Sequence, residues 1–348
     1  MNNRSTCNAM IAMLGLTSLF AAHADAKAPA KKFNLSHWKI TLPMDADNNG
    51  KVDEVDVKKI RRYSHPDFFF LDEQGYMVFA APNKATTTSG SSNTRSELRQ
   101  MIRGTNTKIK TKSPKNNFAI AAHPNATSFG DIGGKLTATL KVDHVALNAG
   151  HPDKNPAYSV VVGQIHAGKD QRLIDEGNGF GWGNEPIKIY YKKWPDHDTG
   201  SVFWNYERNL PKTDPNRTDI ALPVWGNTWE NPDDPKDQGI ALGEEFSYII
   251  NVHENVMYLT FYSAKLGVVN YEIDLSTAAD DNDHPQGYAG DWFYFKAGAY
   301  NQCSTKDDEG GWYTACPGTG DWNTDKANGD YTQVSFSRVV LSSSEAPK

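Results

Sequence analysis

The 348-residue chain carries 36 Lys and Arg against 42 Asp and Glu, a formal net charge of −6. That balance excludes general polyanion binding, nucleic acid included, so a charged ligand must meet a local cluster instead. The length allows one large domain or two.

The first 26 residues, "MNNRSTCNAMIAMLGLTSLFAAHADA", read as an export signal. A basic start at Arg4 precedes an apolar run from Met10 to Ala22, with small-residue cleavage options ending at Ala24 or Ala26. The run is too short to span a bilayer, and Cys7 lies before it, which excludes a lipid-bearing cysteine. No later segment reaches membrane-helix length. The expectation is a mature protein of residues 27–348, secreted or periplasmic, monomeric and with no membrane partner.

Strand-like runs then follow one another: HWKITLP (37–43), YMVFAAP (76–82), TRSELRQM (94–101), NFAIAAH (117–123), KLTATLKVDHVAL (135–147) and YSVVVGQIH (158–166). IKIYYKKW (187–194), FSYIINVHENVMYLTFYS (246–263), VVNYEIDL (268–275), WFYFKAGAYNQ (292–302) and YTQVSFSRVVL (331–341) complete the series. They alternate apolar with polar residues and are separated by Gly, Pro, Asn and Asp clusters. Helical periodicity is confined to DEVDVKKIRRY (53–63) and TDKANGD (324–330), a turn or two each. Many short strands without intervening helices predict one all-β domain, a sandwich of two antiparallel sheets.

DADNNGKVDEVD (45–56) places Asp45, Asp47, Asn49, Gly50 and Asp56 at positions 1, 3, 5, 6 and 12 of a calcium loop. HWKITLP before it is a strand rather than a helix, so an EF-hand is excluded. The residues make a calcium candidate or a polar turn.

Between Arg95 and Lys112, six cations (Arg95, Arg99, Arg103, Lys108, Lys110, Lys112) face a single Glu97, within an acidic protein. That local excess points to a defined anionic ligand. The period of two places Arg95, Glu97 and Arg99 on one strand face; Gln164 with His166; Lys188, Tyr190 and Lys192; and Tyr294, Lys296, Gly298, Tyr300 and Gln302. Each strand alone reads as a solvated face. Together their Tyr, Gln, His and Arg are binding-site chemistry, and neighbouring strands would merge them into one groove. Gly298 in mid-strand predicts a close approach of ligand or backbone. Cys303 and Cys316, in an exported protein, predict one loop-closing disulfide.

RSELR (95–99), QIH (164–166) and YFKAGAYNQ (294–302), in that order, resemble the three signature strands of the alginate lyases of polysaccharide lyase family 7. HWKITLP and IKIYYKKW also look like strands of that family, so the resemblance spans nearly the whole mature chain. Ala299 departs from it, standing where the family often has a larger aliphatic residue. The resemblance implies a β-jelly roll with a concave active-site sheet, and β-elimination of an anionic 4-linked uronate polysaccharide, leaving a 4,5-unsaturated uronate at the non-reducing end. It also implies Arg95 and Gln164 as the pair that neutralises the substrate carboxyl, and Ile165 resembles members acting on polyguluronate or mixed blocks.

The residue chemistry agrees. Elimination removes the C5 proton and places two charges on one carboxyl group, which a guanidinium and an amide donor stabilise. His166 supplies a neutral imidazole as base. Tyr300 supplies the proton for the leaving C4 oxygen, since a phenol is protonated at neutral pH. The same phenol acting also as base requires neighbouring cations, for which Lys296 and Arg99 are the candidates. Arg99, Lys188, Tyr190, Lys192, Tyr294, Lys296 and Gln302 are expected to contact substrate. Glu97 is read as a structural partner that orients the two arginines. No cofactor is required by this scheme.

Two other readings use the same residues. A binding module would hold the polysaccharide without cleaving it, but needs neither a base nor a proton donor. A jelly-roll glycoside hydrolase needs two carboxylates; YEIDLST offers Glu272 and Asp274 but has Thr277 where the second catalytic carboxylate belongs.

Overall fold

In the computed structural model, which describes residues 26–307 and 312–347, the alternating runs become two stacked antiparallel sheets, a β-jelly-roll sandwich. The export signal falls almost entirely on residues 1–25, outside the described residues. One sheet runs through Asp219–Trp225, Ser201–Glu207, Ile187–Lys192, Ser159–Ala167, Phe293–Asn301, Arg95–Gln100, Trp38–Thr41 and Glu54–Val55. The other runs through Gly267–Asp274, Val256–Ser263, Phe246–His253, Gly134–His144, Tyr331–Ser342, Met77–Pro82 and Phe69–Leu71.

The core lies between them and takes one side of each strand. Phe293, Phe295, Ala297 and Ala299 enter it, with Leu98, Ile165, Ile187 and Ile189 from the same sheet and Leu136, Leu140, Phe246, Tyr248 and Phe336 from the other. Each such Phe, Leu or Ile contributes about 1.5–3 kcal/mol by leaving water. This commitment turns the polar partners of those residues outward, which builds the site.

The strand map differs from expectation in three places. Ser201–Glu207 (SVFWNYE) is buried on both faces, so it shows no alternation to read. Asp219–Trp225 contains Pro223, which argues against an inner strand, and it lies at the sheet's edge, where a missing N–H costs no ladder bond. Of NFAIAAH only Phe118–Ala119 pairs, a short strand beside Phe293 and parallel to Asp131–Ile132.

Both helical turns form where expected. Asp56 caps Val57–Ile60 by accepting from Val57 N, and Asp321 caps Trp322–Asn328 by accepting from Thr324 N at 2.9 Å. A third short helix, Gln171–Asp175, follows the Ser159–Ala167 strand. Among the described residues no helix is long and apolar enough to cross a membrane. Cys303 and Cys316 are bonded, with Cα atoms 5.5 Å apart, and tie down the segment after Phe293–Asn301.

Candidate functional site

The outward faces of three neighbouring strands, with Ile187–Lys192 beside them, carry the site. Their registers set Arg99 beside Lys296, Lys296 beside Gln164, and Gln164 beside Lys188. Arg95 lies beside Tyr300, and Tyr294 beside His166. Three motifs distant in sequence thus meet on one surface.

Glu97 sits at the centre, with only 2 % of its side chain exposed. It accepts from Arg95 Nη1 at 3.2 Å and from Gln164 Nε2 at 2.5 Å, and pairs with Lys296 Nζ. Burial opposes its charge, but Lys296 and Arg95 overcome this and hold its carboxyl below the usual range. Burial in turn pulls the Lys296 ammonium down to about 8, against the raising effect of Glu97. The expectation that Glu97 orients two arginines is corrected to one. Arg99 turns away and donates to Asn117 Oδ1 at 2.7 Å and Gln100 O at 2.6 Å.

The arginine beside Tyr300 also differs from expectation. Arg95, not Arg99, lies over the Tyr300 ring at 3.8 Å, and Arg99 lies over Tyr294 at 3.9 Å. Lys296 Nζ stands 5.7 Å from the Tyr300 ring centre. The Tyr300 hydroxyl is 3.0 Å from Ser91 Oγ. Tyr294 is stacked on His166 with ring centres 5.3 Å apart, and burial pushes its phenol up to about 12 despite Arg99.

His166 donates Nδ1–H to Ala167 O at 2.5 Å, because a carbonyl can only accept. Its Nε2 faces Glu185 Oε1 at 3.1 Å. Burial lowers its proton affinity, Glu185 works the other way, and Lys296 and Arg95 add to the lowering. Two buried atoms of the site, the donor Arg95 Nε and the acceptor Gln164 Oε1, have no hydrogen-bond partner among the described residues. A ligand carboxylate would satisfy the first and a ligand hydroxyl the second.

Several expected contacts are placed otherwise. Tyr190 and Lys192 share the outward face as predicted, yet both are buried there. Trp229 lies on Tyr190 and Phe203 at 4.8 and 4.5 Å, and Trp312 lies on Trp229 at 5.9 Å. Lys192 Nζ donates to Asn155 O and Ala157 O at 2.9 and 2.6 Å, under the Trp194 ring. Lys188 pairs with Glu185 at 3.4 Å. Gln302 lies past the strand end, buried, with its amide directed at Tyr300 O and Asn301 O. These four side chains are therefore engaged within the protein rather than presented to a ligand.

At Gly298 the close approach is of backbone. Its φ is +148°, and a Cβ there would meet Ser96 O at 2.5 Å and Glu97 Cα at 2.8 Å. The neighbouring strand's backbone, not a sugar, requires glycine. Beside it the Phe293–Asn301 and Ser159–Ala167 strands slip register between Ala297 and Tyr300.

In the Asp-rich loop, Asp45, Asp47 and Asp53 bring carboxylate oxygens within 4.8 Å of one another. Asp56 is withdrawn from that set, since it caps a helix and pairs with Arg103 at 3.1 Å. Asn49 instead donates Nδ2–H to Asp47 at 2.9 Å. Glu272 and Asp274 are exposed on the edge strand of the other sheet, away from the site.

Sequence reading missed Glu185, Glu207 and Ser91. Glu185 precedes its strand in a Gly-, Asn- and Pro-containing segment where alternation gives no direction.

A family model described as alginate lyase matches residues 33–343. An alginate lyase of Klebsiella pneumoniae is 36% identical over 306 residues, covering 85% of this chain and 91% of that protein. The crystal structure of the alginate lyase from Klebsiella pneumoniae superposes with a TM-score of 0.71 at 31% identity, covering 91% of this chain and 98% of that one. The exolytic PL7 alginate lyase AlyA5 from Zobellia galactanivorans gives a TM-score of 0.72 at 34% identity, covering 90% and 97%.

Proposed function

Because the chain belongs to the alginate lyases of polysaccharide lyase family 7, and is therefore a polysaccharide lyase, we propose that Arg95, Gln164, His166 and Tyr300 carry out a β-elimination with preference for polyguluronate or mixed blocks. The observation that carries this is their convergence on one surface around Glu97, with Arg95 lying over Tyr300.

The steps follow from the side chains. Arg95 and Gln164 receive the uronate carboxyl and stabilise the enolate-like dianion, where preorganised donors count most. His166, once neutral, takes the C5 proton; Tyr300 gives its phenolic proton to the C4 oxygen as the C4–O bond breaks. The product bears a 4,5-unsaturated uronate at its non-reducing end. Guluronate and mannuronate differ at C5, so a base and an acid on separate residues suit guluronate, while Tyr300 in both roles suits mannuronate. Ile165 supports the guluronate reading by family resemblance alone, since it lies in the core. Of the remaining expected contacts, Tyr294 is partly exposed and reaches substrate in this reading, while Arg99 and Lys296 act from beneath through Tyr294 and Glu97.

The tryptophan cover over Tyr190 and Phe203 blocks one side of this surface and supports attack near a chain end, in keeping with the exolytic relative. The chemistry needs no metal; calcium at Asp45, Asp47 and Asp53 would brace a loop. Export to the periplasm or the medium, as a monomer, completes the proposal.

Ultraviolet absorbance during incubation with separate polyguluronate and polymannuronate tests it, with and without chelator. A faster rise on polyguluronate, unaffected by chelator and with little loss of viscosity, is expected. Retained binding with flat absorbance would make this a binding module; new reducing ends without absorbance would make it a hydrolase. Full activity of His166→Ala on polyguluronate would remove His166 as base.

A further inference from the structure

Glu185 is no part of the expected site, yet it occupies the edge of His166 opposite Ala167 O. Its Oε1 is 3.1 Å from Nε2 as an ion-pair contact, while Nδ1 is held by Ala167 O through a hydrogen bond. With Nδ1–H committed to a carbonyl, a carboxylate opposite Nε2 is a contact that favours a second proton on the ring.

A buried network keeps Glu185 anionic. Lys188 Nζ lies 3.4 Å from Oε2, and Glu185 N donates to Glu207 Oε2 at 2.9 Å. Arg217 pairs with the other oxygen of Glu207. Burial raises both carboxyls, but Lys188 and then His166 bring Glu185 well below the usual range. Glu207 is pushed up by burial and by Glu185, so of the two carboxyls Glu185 is the one more firmly held as the anion. The other groups facing His166 are Lys296 and Arg95, which disfavour its charge, and the stacked Tyr294 ring. Glu185 is thus the leading anionic influence on the imidazole, set against two cations.

We propose that Glu185 is the positioning residue of His166: held beside Nε2, it neutralises the imidazolium formed when the C5 proton arrives. The inference rests on His166 as the base. In the step, the C5–H bond breaks and its electron pair enters the enolate. The proton settles on Nε2 facing Glu185, and the Tyr300 proton leaves with the C4 oxygen. Afterwards His166 returns its proton to solvent and Tyr300 regains one.

The variant Glu185→Gln keeps the size and removes the charge, and Glu185→Asp restores the charge if folding demands it. Two readouts are taken on the whole enzyme: the ring-carbon NMR titration of His166, and kcat/KM against pH on polyguluronate. In Glu185→Gln the His166 midpoint falls by about one pH unit or more. The acid limb of kcat/KM moves down with it, and kcat falls about tenfold or more; Glu185→Asp recovers most of the midpoint. An unmoved His166 midpoint, whatever happens to kcat, overturns the inference. A moved midpoint with an unmoved acid limb upholds the Glu185–His166 pairing and instead removes His166 as the base.

Discussion

Two halves of one sheet face follow the same alternation and end differently. On Arg95–Gln100, Phe293–Asn301 and the Gln164–His166 end of its neighbour, the outward residues leave Tyr294, Tyr300 and His166 partly exposed. On Ile187–Lys192 and Ser201–Glu207 the outward Tyr190, Lys192 and Phe203 are as buried as the core behind them. Loops make the difference: Trp229, Trp194 and Trp312 come from irregular segments and cover the second half. A polar stripe on a strand therefore marks a face, and what crosses that face decides whether it meets substrate.

Four experiments break or sharpen the contrast. Tyr300→Phe, in the open half, should cost about 10²–10⁴-fold in kcat with no change in thermal midpoint; a loss under tenfold would show that the proton comes from elsewhere. Glu97→Gln should act on both activity and folding, since it strands Lys296 and Arg95 without their buried anion. Such a loss costs about 3 kcal/mol, read in urea unfolding, and a variant as stable as the parent would mean that the cations find other partners.

Trp229→Ala, in the covered half, should leave the elimination itself intact while costing about 2 kcal/mol of stability. It should also expose Tyr190 and lengthen the products. Unchanged products would show that the cover does not limit where the chain is cut. Lys192→Met should have the smallest effect, visible only against pH. Burial holds the Lys192 ammonium down at about 7, below the 10.5 of a lysine in the unfolded chain. The unfolded chain therefore binds more protons between those values, and stability rises with pH through that window. The variant should flatten this rise; parallel stability curves would place the titration outside that window.

Much of the open half was legible because it obeys a local rule. Side chains alternate on a strand, so Leu98, Ile165 and Phe295 going inward forces Arg95, His166 and Tyr300 outward. The reading failed where the rule is interrupted. Val162 and Val160 enter the core although Gln164 and His166, of the same parity, face out, because the strand bulges against both neighbours between Gly163 and Val161. Gln302 was assigned by continuing a strand that ends at Asn301.

What the sequence determined by itself was the sandwich, the disulfide and the outward set of the three signature strands, because period, turn residues and cysteine usage are local properties. Only the tertiary structure decided that Arg95 rather than Arg99 lies over Tyr300, that Gly298 answers to a neighbouring backbone, that tryptophans cover half the face, and that Glu185 meets His166. Each is a meeting of residues far apart in the chain. Strand alternation states which way a side chain points; register and loop packing determine what waits there.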